Sequence, residues 1–350
     1  MQQYKDTDSP SISDIALPRP YPSSASPSTP DTKSNTPPKP SESTPLSRSS
    51  RYTFVLIPIL LVIAAYTLPL FAPAPPTPAP VTMSRFTLPA THFNTALYNR
   101  IHDLWFSCLP AIPSEEGLQG AMKNWFGLGA TSEEKLAFDG RCTETCREAL
   151  EAVGPAVYTL PKADGSYQGE LEHAGAIAAP FVAHLEDVAK SQGSANTSLT
   201  ALALILLLDQ MPRNSFRDNQ GVVYTHYDRV SRALLRHILN SSERLDRHPR
   251  LRYSFAQRGF FYLPLMHSEF LEDHDLWKKL TAEMKSEAVE TRDQASSDFL
   301  DRSLGFGKQH REILDRFGRY PYRNKWVPRE TTAEEKEWIE NGGETFGSQK

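Results

Sequence analysis

The sequence predicts an all-α domain built from antiparallel helix pairs, preceded by a disordered tail and one transmembrane helix. Three observations carry this expectation. Apolar residues recur at helical spacing from Phe86 onward, and no segment sustains the two-residue alternation of a strand. Proline is unevenly placed, with 17 of 28 in residues 1–80. Between the proline-rich stretches lies a long run without charge. The 350 residues thus divide into a tail, an apolar span and a globular part.

Residues 1–50 hold 10 Pro, 13 Ser and 5 Thr, with few large apolar residues (Ile12, Ile15, Leu17, Leu46). Such a segment cannot bury enough surface to offset its chain entropy, so it reads as disordered. Residues 53–72 (TFVLIPILLVIAAYTLPLFA) carry no charge, and none occurs between Arg51 and Arg85. A helix of that length spans about 30 Å, the thickness of a hydrocarbon core. Membrane helices tolerate prolines such as Pro58 and Pro69 better than soluble ones do. The span starts after 50 residues, which suits a signal anchor rather than a cleaved signal peptide. Lys39, Arg48 and Arg51 precede it and only Arg85 soon follows, so the expected topology is single-pass, N-terminus cytosolic and helical domain lumenal. Sequons at Asn196 and Asn240 are usable only in that orientation. Residues 73–85 form a Pro-rich linker, and Met83 is a start site that would give a soluble form.

Residues 86–345 carry the helices. Phe93, Leu97, Ile101, Leu104 and Trp105 make one buried stripe. Thr131–Glu134 and Thr332–Glu335 are capping boxes, each opening a helix. The run 201–208 (ALALILLL) is apolar all round and belongs at the centre of the fold. Long helices suit residues 170–191, 226–239, 250–263 and 275–303, and 154–168 reads as a loop. No 34-residue period marks a regular repeat array.

Three polar segments are the candidate sites. In the first, Asp209-Gln210-Met211-Pro212-Arg213-Asn214, Pro212 is expected to end the helix near Asp209. A carboxylate at that end of an apolar helix wants a cation, and Arg213 is the natural partner. In the second, Pro264 is expected to kink the chain just before His267 and Glu269. The third runs from His310 to Arg316, Arg319, Arg323 and Asn324, with Gly318 ending the helix. Arginine forks suit carboxylates and phosphates. For each segment the alternative is purely structural: a buried ion pair, a new helix start or a solvated basic edge. His267, Glu269, His310 and Asp209 would also make a nitrogen-and-oxygen metal set, but their spacing matches no metal signature. No cofactor motif is present, and no cofactor is expected. Cys142 and Cys146, one turn apart, could pair or bind metal but read more simply as buried. The globular part has 32 basic and 37 acidic residues, against 6 and 5 in residues 1–80, which argues against nucleic acid.

The stretches IHDLWF (101–106), AFD (137–139), LALILLLDQMPRN (202–214), FFYLPLMHSEFLED (260–273) and H…RFGRYPYRN…ETTAEE (310–335) give the chain a family resemblance. Over residues 90–345 it resembles the uncharacterised helical proteins of domain-of-unknown-function family 924. The resemblance implies a tetratricopeptide-like fold. It carries no catalytic residues, because the family has no agreed activity. It does imply that Asp209, Gln210, Arg213, Asn214, His267, Glu269, His310, Arg316, Arg319, Arg323 and Asn324 fall on the family's polar motifs. The sequence departs from the pattern at Tyr322, where a histidine is usual, and at 327–329, where VPR replaces Leu-Gly-Arg. Residues 153–197 look expanded.

Three functional readings follow. In the first, an arginine-lined pocket binds a small anionic ligand or an acidic peptide, with Asp209 and Glu269 orienting Arg213, Arg316, Arg319 and Arg323. In the second, the protein is an enzyme using His267 or His310 as general acid–base. In the third, it is a protein-interaction scaffold whose polar motifs are structural.

Overall fold

The computed structural model describes residues 86–346, and these are helical; no strand occurs among them. The helices are α1 (Thr95–Phe106), α2 (Glu115–Phe126), α3 (Ser132–Ala152), α4 (Tyr167–Gln192) and α5 (Ser194–Ser215). They continue as α6 (Asp228–Asn240), α7 (Phe255–Met266), α8 (Leu271–Glu290), α9 (Gln294–Phe317) and α10 (Ala333–Glu340). A π turn, Val223–Tyr227, leads into α6, and a 3₁₀ turn, Pro321–Trp326, follows α9.

The helix starts follow from local chemistry. Both capping boxes form: Glu134 N is bonded to Thr131 Oγ1, Glu335 N to Thr332 Oγ1, and each glutamate bonds back. The stripe read from the sequence is buried, with Ile101 and Trp105 fully enclosed. The helix α5 is central. Every residue from Ala201 to Leu208 is buried, because α1, α3, α4, α6 and α7 all pack on α5. Residues 153–166 form the loop expected between α3 and α4.

Three local expectations are corrected. First, α5 does not stop at Asp209; it runs through Pro212 to Ser215. The ring removes one donor, but the surrounding helices hold this turn, and Asp209 and Arg213 become an i,i+4 pair. Pro264 is likewise inside α7, so the chain turns only at His267. Second, residues 275–303 belong to two helices. Arg292 adopts a left-handed φ of 59°, and the Asp293 side chain caps α9 by accepting from Ser296 N. The packing of α8 on α9 then depends on Gly307, where a methyl group would overlap the Trp277 ring.

The third correction concerns the membrane. Among the described residues no helix is long and apolar enough to cross one. The central helix, α5, turns polar beyond Leu208 and is enclosed by other helices. The single-pass localisation, with its cytosolic N-terminus and lumenal domain, is thus left without a span among the described residues. The stretch 53–72, the tail 1–50, the linker 73–85 and Met83 lie outside the described residues.

Gly307→Ala is expected to lower stability by about 1–3 kcal/mol through overpacking against Trp277. Gly305→Ala, with open space around its Cβ, should be neutral or stabilising. Urea unfolding of the two variants compares them directly; equal midpoints would show that the α8–α9 seam does not need Gly307.

Candidate functional site

The carboxylate of Asp209 is fully buried, six residues before the end of α5 at Ser215. It is not left alone. His267 Nδ1 lies 2.8 Å from Oδ1, Gln210 Nε2 donates to Oδ2 at 2.5 Å, and Arg213 Nη2 donates to Oδ1 at 3.3 Å. The same Arg213 nitrogen donates to Asp228 Oδ1 at 2.6 Å. Asp228 is the first residue of α6, delivered there by the π turn. Arg323 comes from the 3₁₀ turn after α9. It sits 3.8 Å from Asp228 and donates to the His267 carbonyl at 2.9 Å. Its guanidinium lies between the rings of Tyr224 and Tyr320, at 4.4 and 4.6 Å.

A carboxylate can only accept, so Nδ1 of His267 carries the proton in the bond to Asp209. Burial favours the neutral acid at Asp209, but His267 and Arg213 outweigh it and hold the carboxyl below its usual range. Burial and then Arg213 push His267 below the ordinary histidine range, against the pull of Asp209. At neutral pH the pair is therefore an anion and a neutral imidazole. Nε2, on the far side of the ring, makes no hydrogen bond among the described residues.

His267 also lines a cavity of about 420 Å³. The walls are largely apolar: Phe126, Phe260, Leu263, Trp277, Met284, Phe299 and Phe306, from α2, α7, α8 and α9. No arginine is among its lining residues; the charged residues there are Lys135 and Glu344. His310 lines it too, yet differently. Its Nδ1 is bonded to the Phe306 carbonyl at 2.8 Å, and Phe346 stacks on its ring at 3.5 Å. Burial lowers the imidazole to about 3. His274, behind it on α8, is lowered by burial to about 4 and bonds the Ser268 carbonyl and Tyr320 Oη.

The remaining residues expected at the site divide into two groups. Asn214 bonds the Gln210 carbonyl and accepts from Arg217, which grips Asp139 of the AFD stretch with two bonds of 2.8 and 2.9 Å. Glu269 does not face Asp209. It takes both arms of Arg329 at 2.7 Å and accepts from Tyr320 N. Asn324 joins that group through Arg329 and through Glu335. Arg319 forms a fork on Glu335, and Arg316 pairs with Glu334 on the exposed flank. The arginines expected to leave spare positive charge are thus each matched by a carboxylate. Asp209, Glu269, His267 and His310 are not grouped as metal ligands; among the described residues no cluster of three or more His, Cys, Asp or Glu is placed to hold a metal. Cys142 and Cys146 are free and buried, with burial raising both thiols.

Asp228, Arg329 and the second role of Glu335 were not legible as site residues. Glu335 stood out only as a capping residue, and Arg329 only as part of a departure from the family pattern. Asp228 carries no motif at all; its part depends on the π turn, which no spacing announced.

The bacterial family of proteins of unknown function DUF924 matches residues 101–343. The chain belongs to this family. A solved structure, that of protein of unknown function ATU0120 from Agrobacterium tumefaciens, matches with 25% identity and a TM-score of 0.40. The match covers 71% of this chain and 98% of that one. No curated protein matches the sequence.

The family member described here should lose stability in mild acid. Unfolded histidines take up a proton near pH 6.5, whereas His274 and His310 stay neutral in the folded state down to about 4 and about 3. Below pH 6.5 the unfolded chain therefore binds more protons. Stability should fall by up to about 1.4 kcal/mol per pH unit for each. Urea midpoints measured from pH 7.5 to 5 test this, and His310→Phe should remove one share of the slope. A flat profile would show that these rings are charged or solvated.

Proposed function

We propose that the cavity binds a small, largely apolar molecule with one polar group, and that His267 is the acid–base residue meeting that group. The observation that carries this reading is the 2.8 Å bond between Asp209 and His267 at the edge of a 420 Å³ apolar cavity. Ligand pockets commonly have volumes of roughly 300–1,000 Å³ and mostly apolar walls. Fixing the proton on Nδ1 leaves Nε2 as a bare acceptor, which is the form a general base needs. A neutral acceptor takes a hydroxyl or a water, not a carboxylate. The ligand class that fits is therefore an alcohol, or a molecule whose reaction needs an activated hydroxyl.

The anionic-ligand reading has less support. Its arginines are paired with Asp209, Asp228, Glu334 and Glu335, and the cavity wall contains none of them. The interaction-scaffold reading leaves the cavity without a purpose.

Calorimetry at pH 8 with n-octanol and with octanoate tests the proposal. The alcohol is expected to bind more tightly, with octanoate gaining only as pH falls and His267 takes a proton. His267→Phe keeps the ring volume but loses Nε2, and should weaken octanol by about tenfold, the worth of one hydrogen bond. Preference for octanoate at pH 8, or an unchanged affinity in His267→Phe, would overturn the assignment.

A further inference from the structure

We infer that Gly259 is the specificity-determining residue of this cavity: the side chain missing there sets how long an apolar tail the cavity accepts. The inference rests on the ligand class proposed above and adds its selection by length.

Glycine is the worst helix former after proline, so a glycine inside a helix needs a reason. Gly259 lies in the first half of α7. The other helical glycines among the described residues are of two kinds, packed or exposed. Gly307 is required by packing, because the Trp277 ring occupies the space of its side chain. Gly120, Gly140, Gly175 and Gly305 are exposed, with nothing near them. Gly259 fits neither case. It is partly buried, its φ is not positive, and among the described residues the one atom within reach of an added Cβ is Met284 Cε at 4.0 Å. That is ordinary contact with the end of a flexible side chain. Neither backbone conformation nor packing excludes a larger residue.

What a side chain at 259 would occupy is the cavity, which Gly259 lines. Ala256 lines it from the preceding turn, so α7 offers small residues at one end of this face. Leu263 and Met266 follow, and then His267. His267, which caps α7, is eight positions beyond Gly259, a rise of about 12 Å along the helix axis. A molecule with its hydroxyl at His267 would lay its tail along α7 and end against Gly259 and Met284. Methionine is unbranched and adaptable, which suits a wall that tolerates the end of a chain rather than a fixed shape.

Calorimetry of the full chain with n-hexanol, n-octanol and n-decanol tests the inference. In the natural protein, affinity should rise about fourfold per added methylene until the tail reaches Gly259, then level off. Gly259→Leu should weaken n-decanol by about tenfold or more while leaving n-hexanol within about twofold, as removal of several methylene contacts requires. Gly259→Ala, which should melt above the natural protein, gives a smaller shift in the same direction. Met284→Ala should move the limit toward longer tails. Folded Gly259→Leu and Gly259→Ala variants with an unmoved length limit would overturn the role of Gly259 while leaving the ligand class intact. Failure of the natural protein to bind any of the alcohols would remove the ligand class and this inference together.

Discussion

A carboxylate with no access to water, beside the apolar run of the central helix α5, is the constraint from which the central structure follows. Removing Asp209 from solvent is costly unless charge and hydrogen bonds replace the water. The replacements come from three places. Arg213 is on the same helix, Gln210 is its neighbour, and His267 stands at the end of α7. Satisfying Asp209 therefore fixes α5 against α7. The same guanidinium reaches Asp228 and so ties in α6, and Arg323 extends the cluster to the turn after α9. Two aspartates and two arginines balance in charge around one neutral imidazole. Such a cluster adds less to net stability than to the uniqueness of the arrangement, because removing any one partner leaves a buried charge exposed to a low-dielectric interior.

Much of this was legible in residues 200–214. A fully apolar run had to be central, and a carboxylate at its end had to find a cation; both hold. The capping boxes at Thr131 and Thr332 were equally plain, since their chemistry is local. What failed was the treatment of proline. Pro212 and Pro264 were read as ends because each removes a donor, but the neighbouring helices hold both turns in shape. Continuing α5 past Pro212 is what brings Arg213 one turn above Asp209. The arginines were misjudged for a related reason. Sequence proximity put Arg316, Arg319 and Arg323 together, whereas the turn at Gly318 and Pro321 sends them in different directions. Arg316 and Arg319 meet the start of α10, and only Arg323 turns inward. The partner of Glu269 is Arg329, a residue whose role depends on a loop fold that no periodicity encodes.

The cavity was not legible at all. Its walls come mainly from the consecutive helices α7, α8 and α9 and from the distant α2, most of them contributing residues that read simply as core. A void arises from what those residues fail to fill, and composition is silent on that. Met122, Met266 and Met284 line it together with several aromatic rings, so its surface is both adaptable and strongly apolar. The polar cluster and the cavity share His267, which is bonded to the first through Nδ1 and lines the second. That division makes one histidine the joint between a rigid charged network and an open apolar chamber. His310, although it also faces the chamber, is held to a carbonyl of its own helix and covered by Phe346, so it lacks the same supporting carboxylate.

The protonation state of His267 is the most direct test of this picture. Nitrogen-15 NMR of the imidazole at pH 7.5, with the signals assigned by their loss in His267→Gln, reports which ring nitrogen carries the proton. The expected result is a proton on Nδ1, bonded to Asp209, and a bare Nε2. A proton on Nε2, or on both nitrogens, would contradict it, because Nε2 would then be a donor and not the bare acceptor the account requires.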